Sequence, residues 1–256
     1  MSKGIPIGLI TGIIGKEMEA DFWGSLEAVA GIGYEGIEVG PGFVAKSGLS
    51  VPALRERLED LGLKTISYAC LKKNLVGDAL KESVQRAKIL GTDYIVLLWA
   101  PAESKAELLE AAEEYNRIGQ TCKENGIQFC YHNHAHEFET FDGQRGIDIL
   151  FENTAPDLFQ WETDVAWVKY GGVDPAEYIR KYTGRCPLIH AKDIADLDQE
   201  KAFIEVGSGV LDMESIVETA EECGAEWLIV EQDRPWDLAP MDSVKVSYQN
   251  LKEMVE

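Results

Sequence analysis

The stretch Ile127-Gln128-Phe129-Cys130-Tyr131-His132-Asn133-His134-Ala135-His136-Glu137-Phe138-Glu139 joins an apolar run to three histidines. The chain has only four histidines, and the fourth, His190, also follows an apolar run, Pro187-Leu188-Ile189. Histidine is the commonest metal ligand and the usual acid–base group near neutral pH. Histidines placed directly after strand-like segments therefore indicate a functional site. Hydrogen-bonded histidines at the mouth of a loop are the alternative interpretation.

The apolar run that opens this stretch is one of eight strand-like runs, and amphipathic helical runs alternate with them. The runs are short and rich in Ile, Leu and Val, which is typical of buried parallel strands. The predicted strands are residues 5–10, 34–39, 64–70, 94–99, 127–132, 158–163, 188–192 and 227–231. The predicted helices are residues 22–30, 52–61, 78–90, 104–125, 146–153, 175–182, 213–223 and 242–255, with N-caps at Asp21, Ser50, Asp174 and Asp212.

This alternation predicts an α/β protein with a (β/α)8 TIM barrel fold. The 256 residues match the length of about 250 that such a barrel typically uses as one domain. No linker rich in Pro, Gly or Ser divides the chain, so we expect a single domain over residues 1–256. An open dinucleotide-binding sheet is less favoured, because Gly8 and Gly12 do not form a G-x-G-x-x-G pattern.

The amino-acid composition limits the kinds of molecule that the protein is expected to bind. Asp and Glu number 45 against 24 Lys and Arg, which gives a formal net charge of −21. Such a chain repels nucleic acid and anionic membranes, so a small molecule is the expected partner. The five cysteines show no CxxC spacing and indicate reduced core thiols, hence a cytoplasmic protein. A homo-oligomer is compatible with the sequence.

Polar residues collect where the predicted strands end, which is the active-site face of a barrel. Residues two apart on a strand point the same way. Glu162 would therefore share a face with Asp164 and lie inside the barrel, where a charge needs a partner. The residues at or just after strand ends are Glu38, Trp99, His132, His134, Asp164, His190, Lys192 and Glu231.

Carboxylates and imidazoles from four different strands can converge on one divalent cation. Mixed oxygen and nitrogen ligation suits Mn²⁺, Mg²⁺, Co²⁺ or Zn²⁺, and we place Mn²⁺ first. A single Asp or Glu at a strand end is more often a helix cap or a solvated turn residue. Several such residues from the last four strands together favour a metal site.

These residues resemble the sugar phosphate isomerase/epimerase family of xylose isomerase-like TIM barrels, in particular a subgroup with a Tyr-His-Asn-His stretch. The resemblance implies a divalent metal held by Asp164, His190, Glu231 and, where the family usually has a glutamate, His132. The segments that carry it are Gly36-Ile37-Glu38, Tyr131–Phe138, Asp164-Val165-Ala166-Trp167, His190-Ala191-Lys192-Asp193, Gly207–Asp212 and Val230-Glu231-Gln232-Asp233.

The chain departs from the family at strand five. The epimerases use two glutamates as an acid–base pair on opposite faces of the substrate. Here His132 replaces one of them, and His134 follows at the position of the family's histidine. The second glutamate is missing unless Glu137 reaches back toward the site.

The expected activity is that of a metal-dependent sugar isomerase or epimerase. It would abstract a proton next to the carbonyl of a free sugar or keto-sugar, through an enediolate stabilised by the metal. Glu231 is the expected base, and His134 or Glu137 would return the proton. Lys192 would steady an oxyanion, unless it forms a salt bridge with Asp193 or Glu231. The expected substrate-binding residues are Glu38, Trp99, Trp167 and Arg234.

Other functions fit the same sequence. With one glutamate replaced, the site could perform elimination, as a keto-inositol dehydratase or keto-glycoside lyase would. A non-catalytic sugar-binding barrel is a further alternative. A DNA-repair endonuclease of the same fold would need more metal ligands and a basic groove. The turn Gly207-Ser208-Gly209 either offers backbone N–H groups to a substrate or is a flexible loop.

Overall fold

Eight parallel strands close into a barrel, as the sequence predicted. The structure is a computed structural model that describes residues 4–199, 202–233 and 238–256. Within these residues the strands are β1 (Ile7–Ile10), β2 (Gly36–Val39), β3 (Lys64–Cys70), β4 (Tyr94–Leu97), β5 (Gln128–His132), β6 (Thr140–Phe141), β7 (Gln144–Arg145), β8 (Gln160–Asp164), β9 (Leu188–Ala191), β10 (Asp193–Ile194), β11 (Phe203–Ile204) and β12 (Trp227–Val230). The closed barrel runs in the order β1-β12-β9-β8-β5-β4-β3-β2.

Helices surround the barrel, and those between successive barrel strands make the parallel connections possible. The four N-caps predicted from the sequence are confirmed, because each side chain accepts a hydrogen bond from a backbone N–H in the first turn. The described helices are α1 (Gly15–Ala20), α2 (Phe22–Ile32), α3 (Pro41–Lys46), α4 (Val51–Asp60), α5 (Gly77–Leu90), α6 (Lys105–Lys123), α7 (Gly146–Glu152), α8 (Val165–Tyr170), α9 (Pro175–Lys181), α10 (Met213–Glu222) and α11 (Pro240–Val255).

Several short elements were not predicted. Helices α1, α3 and α8 lie in segments for which no element was predicted, and α8 begins immediately after the sixth barrel strand. Strands β6 and β7 form a hairpin through Asp142 and Gly143, which both have positive φ, at 51° and 81°. An Asp-Gly pair is a known signal for such a turn, so this hairpin was readable from the sequence.

The barrel interior has an apolar layer below and a polar layer above. Ile66, Val96, Cys130, Leu188 and Ile229 form one buried apolar cluster. Moving two residues toward the carboxyl ends of their strands leads from Cys130, Leu188 and Ile229 to the polar residues described below. The apolar layer thus forms a floor that keeps the polar residues at the carboxyl-terminal mouth of the barrel.

Asp193 organises the loop that follows β9. Its carboxylate accepts hydrogen bonds from the backbone N–H groups of Ile194, Gly207, Gly209 and Leu211, at 2.8, 3.0, 2.9 and 3.2 Å. Of the two interpretations of this turn, the one in which Gly207 and Gly209 offer their N–H groups to a substrate is wrong, since this carboxylate already accepts hydrogen bonds from them.

We expect Asp193→Ala to destabilise the fold, because four backbone donors would lose a charged acceptor. The free energy of unfolding should fall by roughly 3 kcal/mol, measured by urea denaturation followed by circular dichroism. Asp198→Ala, at an exposed position in the same loop, is the matched control and should change little. A loss below about 0.5 kcal/mol for Asp193→Ala, the range of ordinary surface substitutions, would contradict this role.

Candidate functional site

Four side chains from neighbouring barrel strands converge at the mouth of the barrel. They are His132, Asp164, His190 and Glu231, and each offers one ligand atom such that all four atoms lie within 4.8 Å of one another. His132, Asp164 and His190 are buried, and the side chain of Glu231 is 11% exposed. This is the set that the sequence resemblance implied for a metal, and its ligand role remains a prediction.

Strand register explains why these residues meet. Asp164 on β8 pairs with His190 on β9, and His132 on β5 pairs with Glu162 on β8. Glu231 directly follows β12, and its backbone N–H donates to the carbonyl of Ala191, at 3.1 Å. Parallel strands in register bring residues at their carboxyl ends to the same level of the barrel.

His190 lies at the centre of the cluster. Its Nδ1 is 2.5 Å from Oε2 of Glu231, and its Nε2 is 3.3 Å from Oε2 of Glu162 and 3.6 Å from Oε2 of Glu38. Burial acts to lower the pKa of His190, but the carboxylates of Glu162 and Glu231 outweigh it and raise this pKa well above its usual value. The imidazole is therefore held in a strongly negative environment.

Lys192 supplies the positive charge of the mouth. Its Nζ lies 2.7 Å from Asp233, 3.2 Å from Glu231 and 3.3 Å from Asp164, and the side chain is fully buried. Burial opposes the charge, but the carboxylates, led by that of Asp164, raise the pKa of Lys192. The salt bridge to Glu231 considered from the sequence is present. The alternative partner Asp193 is engaged with the loop instead.

Lys192 also lowers the pKa of Glu231. Burial alone would raise the pKa of Glu231, yet Lys192 and His190 hold this pKa well below its usual range. The carboxylate is thus ionised at neutral pH and can only accept protons or hydrogen bonds. The rings of Phe203 and Trp167 cover the ammonium group at 4.4 and 5.0 Å.

An aromatic pocket of about 460 Å³ opens beside the cluster. The ring of His134 packs edge-on against Trp99, with centroids 4.5 Å apart, and 5.4 Å from the ring of Trp167. Trp99 is 47% exposed although it is a large aromatic residue. The pocket is lined by Trp99, His134, Ala135, His136, Trp167, Phe203 and Asp233. A larger groove of about 640 Å³ lies on the α6 side of Trp99, but no residue of the four-residue cluster lines it.

His134 is uncharged in this pocket. Burial and the neighbouring His132 lower the pKa of His134 to about 3. Its Nδ1 is buried and has no hydrogen-bond partner among the described residues. This histidine therefore presents a neutral ring to the pocket.

Glu137 does not reach back to the cluster. Its Oε1 accepts a hydrogen bond from the hydroxyl of Tyr131 at 2.6 Å, and its Oε2 accepts one from the backbone N–H of His134 at 2.8 Å. The ring of Tyr131 packs 5.6 Å from that of Tyr115 on α6, on the outer side of the barrel. The expectation that Glu137 supplies the missing second glutamate is wrong, because its carboxylate shapes the loop after β5.

Two other expected substrate-binding residues need comment. Glu38 is 2% exposed and lies beneath His190, where its Oε2 accepts a hydrogen bond from Ser67 at 2.7 Å. Burial and the nearby Glu162 raise the pKa of Glu38 to about 7. Glu38 is therefore buried against the cluster and does not line the aromatic pocket. Arg234 lies outside the described residues.

Two buried residues support the site without having been proposed as part of it. Glu162 contacts both histidines of the cluster, as its predicted inward orientation required. Asn133 joins two strand ends: its Oδ1 accepts hydrogen bonds from Nε1 of Trp161 at 2.8 Å and from the backbone N–H of Asp164 at 2.9 Å. The sequence could have identified Asn133, because it is a polar residue between two histidines at the end of a predicted strand.

The donor set fits a divalent cation. Two imidazoles and two carboxylates match the mixed nitrogen and oxygen ligation of Zn²⁺ or Mn²⁺. Behind the set, Nε2 of His190 and one oxygen each of Glu38 and Glu162 are buried without a well-aligned hydrogen bond among the described residues. Buried carboxylates concentrated in this way favour further positive charge beside Lys192 and the two histidines.

Similarity to known proteins agrees with the fold. A sequence model of the xylose isomerase-like TIM barrel family matches residues 26–254. The chain therefore belongs to the xylose isomerase-like TIM barrel family, which confirms the resemblance seen in the sequence. In the described residues, no helix is both long enough and apolar enough to cross a bilayer.

Particular relatives are distant. The chain is 26% identical over 271 residues to the inosose dehydratase of Geobacillus kaustophilus (strain HTA426), covering 90% of this chain and 86% of that protein. A sugar phosphate isomerase/epimerase from Parabacteroides distasonis superposes with a TM-score of 0.85 at 24% identity, covering 100% of this chain and 96% of that one. The IOLI protein with a bound zinc atom superposes with a TM-score of 0.76 at 16% identity, covering 98% of both chains.

We expect His134 to make the fold less stable in acid. In the unfolded chain its imidazole takes up a proton as the pH falls through about 6.5, whereas the folded pKa is about 3. Stability should therefore fall by about 1.4 kcal/mol per pH unit between these values on account of this residue. The free energy of unfolding of His134→Gln, measured from pH 8 to 4, should lack this component. An equal pH dependence in both proteins would refute the assignment.

We also expect divalent cations to stabilise the fold. Mn²⁺ or Zn²⁺ at about 100 times its dissociation constant should add about 2.7 kcal/mol, seen as a rise in Tm that a chelator reverses. Asp164→Asn should abolish the rise while retaining the N-cap of α8, because asparagine caps as well as aspartate. Asp60→Asn, at an exposed position, is the control. An unchanged Tm for the wild type with every cation would count against the site.

Proposed function

We propose that this protein is a divalent-metal-dependent enzyme that removes a proton next to the carbonyl of a keto-sugar or keto-inositol and then expels the hydroxyl group of the next carbon. A carbon–carbon double bond forms, and the proton and the hydroxyl group leave together as one water. The observation that carries the proposal is the convergence of His132, Asp164, His190 and Glu231 beside an aromatic pocket. Membership of the family and the similarity to an inosose dehydratase support a lyase of this kind.

The proposed ligands are the four residues of the cluster. When bound, a divalent cation supplies Lewis-acid polarisation of a carbonyl oxygen, which makes the adjacent C–H bond more acidic. Mn²⁺ is our first choice, with Mg²⁺, Co²⁺ and Zn²⁺ as alternatives, and the zinc in a structural neighbour supports the last of these.

Glu231 is the proposed base. Its carboxylate is ionised, lies at the mouth and is held by Lys192 at 3.2 Å and His190 at 2.5 Å. These two contacts fix its orientation, which is what proton transfer from carbon demands. Lys192, as a buried cation beside Glu231 and Asp164, is the proposed stabiliser of negative charge that develops on a substrate oxygen.

The pocket suits one face of a sugar ring. Trp99 and Trp167 present aromatic surface on either side of His134. The proposed role of Trp99 and Trp167 is to pack against the C–H face of the substrate, which leaves its oxygens directed at the cluster. The exposure of Trp99 supports this role, because burying its ring on a ligand would remove apolar area from water.

Elimination is favoured over two-base epimerisation because no glutamate takes the place of the second glutamate of the epimerases. His132 occupies that position, and Glu137 is turned away from the cluster. The second group near the substrate would then be His134. The unpartnered Nδ1 of His134 favours isomerisation or epimerisation as the second candidate, since a neutral imidazole can accept a proton on another side of the substrate. The Parabacteroides distasonis structure supports this second candidate by name.

The product separates the two candidates. Mn²⁺-loaded protein is incubated in D₂O with a panel of keto-inositols, keto-sugars and free sugars. Elimination yields an unsaturated product that absorbs in the ultraviolet and has lost one water by mass spectrometry. Isomerisation or epimerisation yields an isomer that carries deuterium. Metal binding without any turnover or deuterium uptake across the panel would support a sugar-binding barrel instead.

Glu231→Gln tests the base. We expect the rate of deuterium uptake or product formation to fall by about 10²- to 10⁴-fold, the usual contribution of a general base. Metal content is measured in parallel, because Glu231 is also a proposed ligand. Glu222→Gln, exposed at the end of α10, is the matched control. Full activity of Glu231→Gln at equal metal loading would exclude Glu231 as the base.

A further inference from the structure

Glu162 contacts the two histidines of the cluster through one and the same oxygen. Its Oε2 lies 3.1 Å from Nδ1 of His132 and 3.3 Å from Nε2 of His190. The two contacts use different ring nitrogens, Nδ1 on one histidine and Nε2 on the other. The contact with His132 has hydrogen-bond geometry, whereas the contact with His190 is an ion-pair distance without it. Glu162 itself is fully buried.

The double contact follows from the way the barrel strands on either side of Glu162 are paired. β8 lies between β5 and β9 in the closed sheet. Glu162 pairs directly with His132, while His190 pairs with Asp164, two residues further along β8. A glutamate two positions before the strand end therefore lies beside His132 and within reach of His190.

An ionised carboxylate accepts hydrogen bonds and donates none. A ring nitrogen that faces it must therefore carry the hydrogen. Both ring nitrogens of His190 face carboxylate oxygens: Nε2 lies 3.3 Å from Glu162 and 3.6 Å from Glu38, and Nδ1 lies 2.5 Å from Glu231. Because Glu231 is itself a proposed ligand, a bound metal would take the place of the hydrogen on Nδ1 of His190 and leave the hydrogen on Nε2. On His132, where Nδ1 faces Glu162, the lone pair left for a metal is that of Nε2.

We propose that Glu162 is a positioning residue that orients both histidine ligands at once, so that His132 presents Nε2 and His190 presents Nδ1 to the metal. This inference rests on the proposed metal site. Carboxylates that hold ligand histidines in this way typically contribute 10- to 100-fold to metal affinity. Sharing one carboxylate between two ligands couples their orientations, so a single substitution should disturb both.

The test measures Zn²⁺ affinity by competition with a chromophoric chelator and the ring tautomers by ¹⁵N NMR of histidine-labelled, Zn²⁺-loaded protein. In the wild type, His132 should appear as the Nδ1–H form and His190 as the Nε2–H form. Glu162→Gln should lower Zn²⁺ affinity by about 10- to 100-fold and broaden or shift both histidine signals. Glu162→Asp keeps the charge but shortens the side chain, and should also lower the affinity.

Two controls isolate the effect. Thr163→Val replaces a buried neighbour on the opposite face of β8 and should leave affinity and both tautomers unchanged. Glu38→Gln should affect His190 alone, because Glu38 approaches only that histidine of the two. If Glu162→Gln does not fold, Glu162→Asp and the wild-type tautomers still decide the question.

Several results would overturn the inference. Wild-type affinity in both Glu162 variants would show that the carboxylate does not orient the ligands, while leaving the metal site intact. The reverse tautomer of either histidine in the wild type would do the same. Two Zn²⁺ ions per chain, with the second lost in Glu38→Gln, would make Nε2 of His190 a ligand. No Zn²⁺ uptake by the wild type would remove the proposed function and this inference together.

Discussion

The buried ammonium group of Lys192 is the interaction on which the mouth of the barrel depends. Three carboxylates, those of Asp164, Glu231 and Asp233, lie within 3.3 Å of its Nζ. Without this charge, neighbouring strands would bring carboxylates together that repel one another in a region of low dielectric. Breaking a buried charge network by removing one partner is far more costly than losing a surface pair. Lys192 thus makes an acidic site compatible with a folded barrel.

Asp164 shows how one residue can serve both the fold and the site. Its Oδ1 accepts a hydrogen bond from the backbone N–H of Trp167 at 3.0 Å and so caps α8. Its Oδ2 lies toward Lys192 and the cluster. From the sequence, a helix cap and a metal ligand were opposing interpretations of this aspartate. The structure permits both, because a carboxylate has two oxygens that face different neighbours.

The sequence predicted the fold well, because the alternation of strand-like and helical runs repeats eight times along the chain and four of the helices carry a recognisable N-cap, so errors in one unit do not propagate. It also predicted which strand ends meet, since parallel strands in a barrel bring their carboxyl ends together. It did not predict where each side chain finds its hydrogen bonds. Glu137 is six residues from Tyr131 and binds it, a contact decided by the short turn after β5. Asp193 likewise binds a loop 14 to 18 residues away, which no strand periodicity encodes.

At the position of His132, this chain differs from the family pattern in the chemistry of the side chain more than in the net charge of the site. Where the family usually carries a glutamate, this chain has His132, which alone would remove one negative charge from the ligand set. Glu162, which is hydrogen-bonded to His132 at 3.1 Å, supplies a negative charge behind that histidine instead. In the proposed metal site, the His132–Glu162 pair would offer a nitrogen ligand backed by a carboxylate, a combination that increases the basicity of the ligand. The pair would not offer the substrate a carboxylate oxygen, so the proposed reaction would lack a second proton transfer by glutamate on that side.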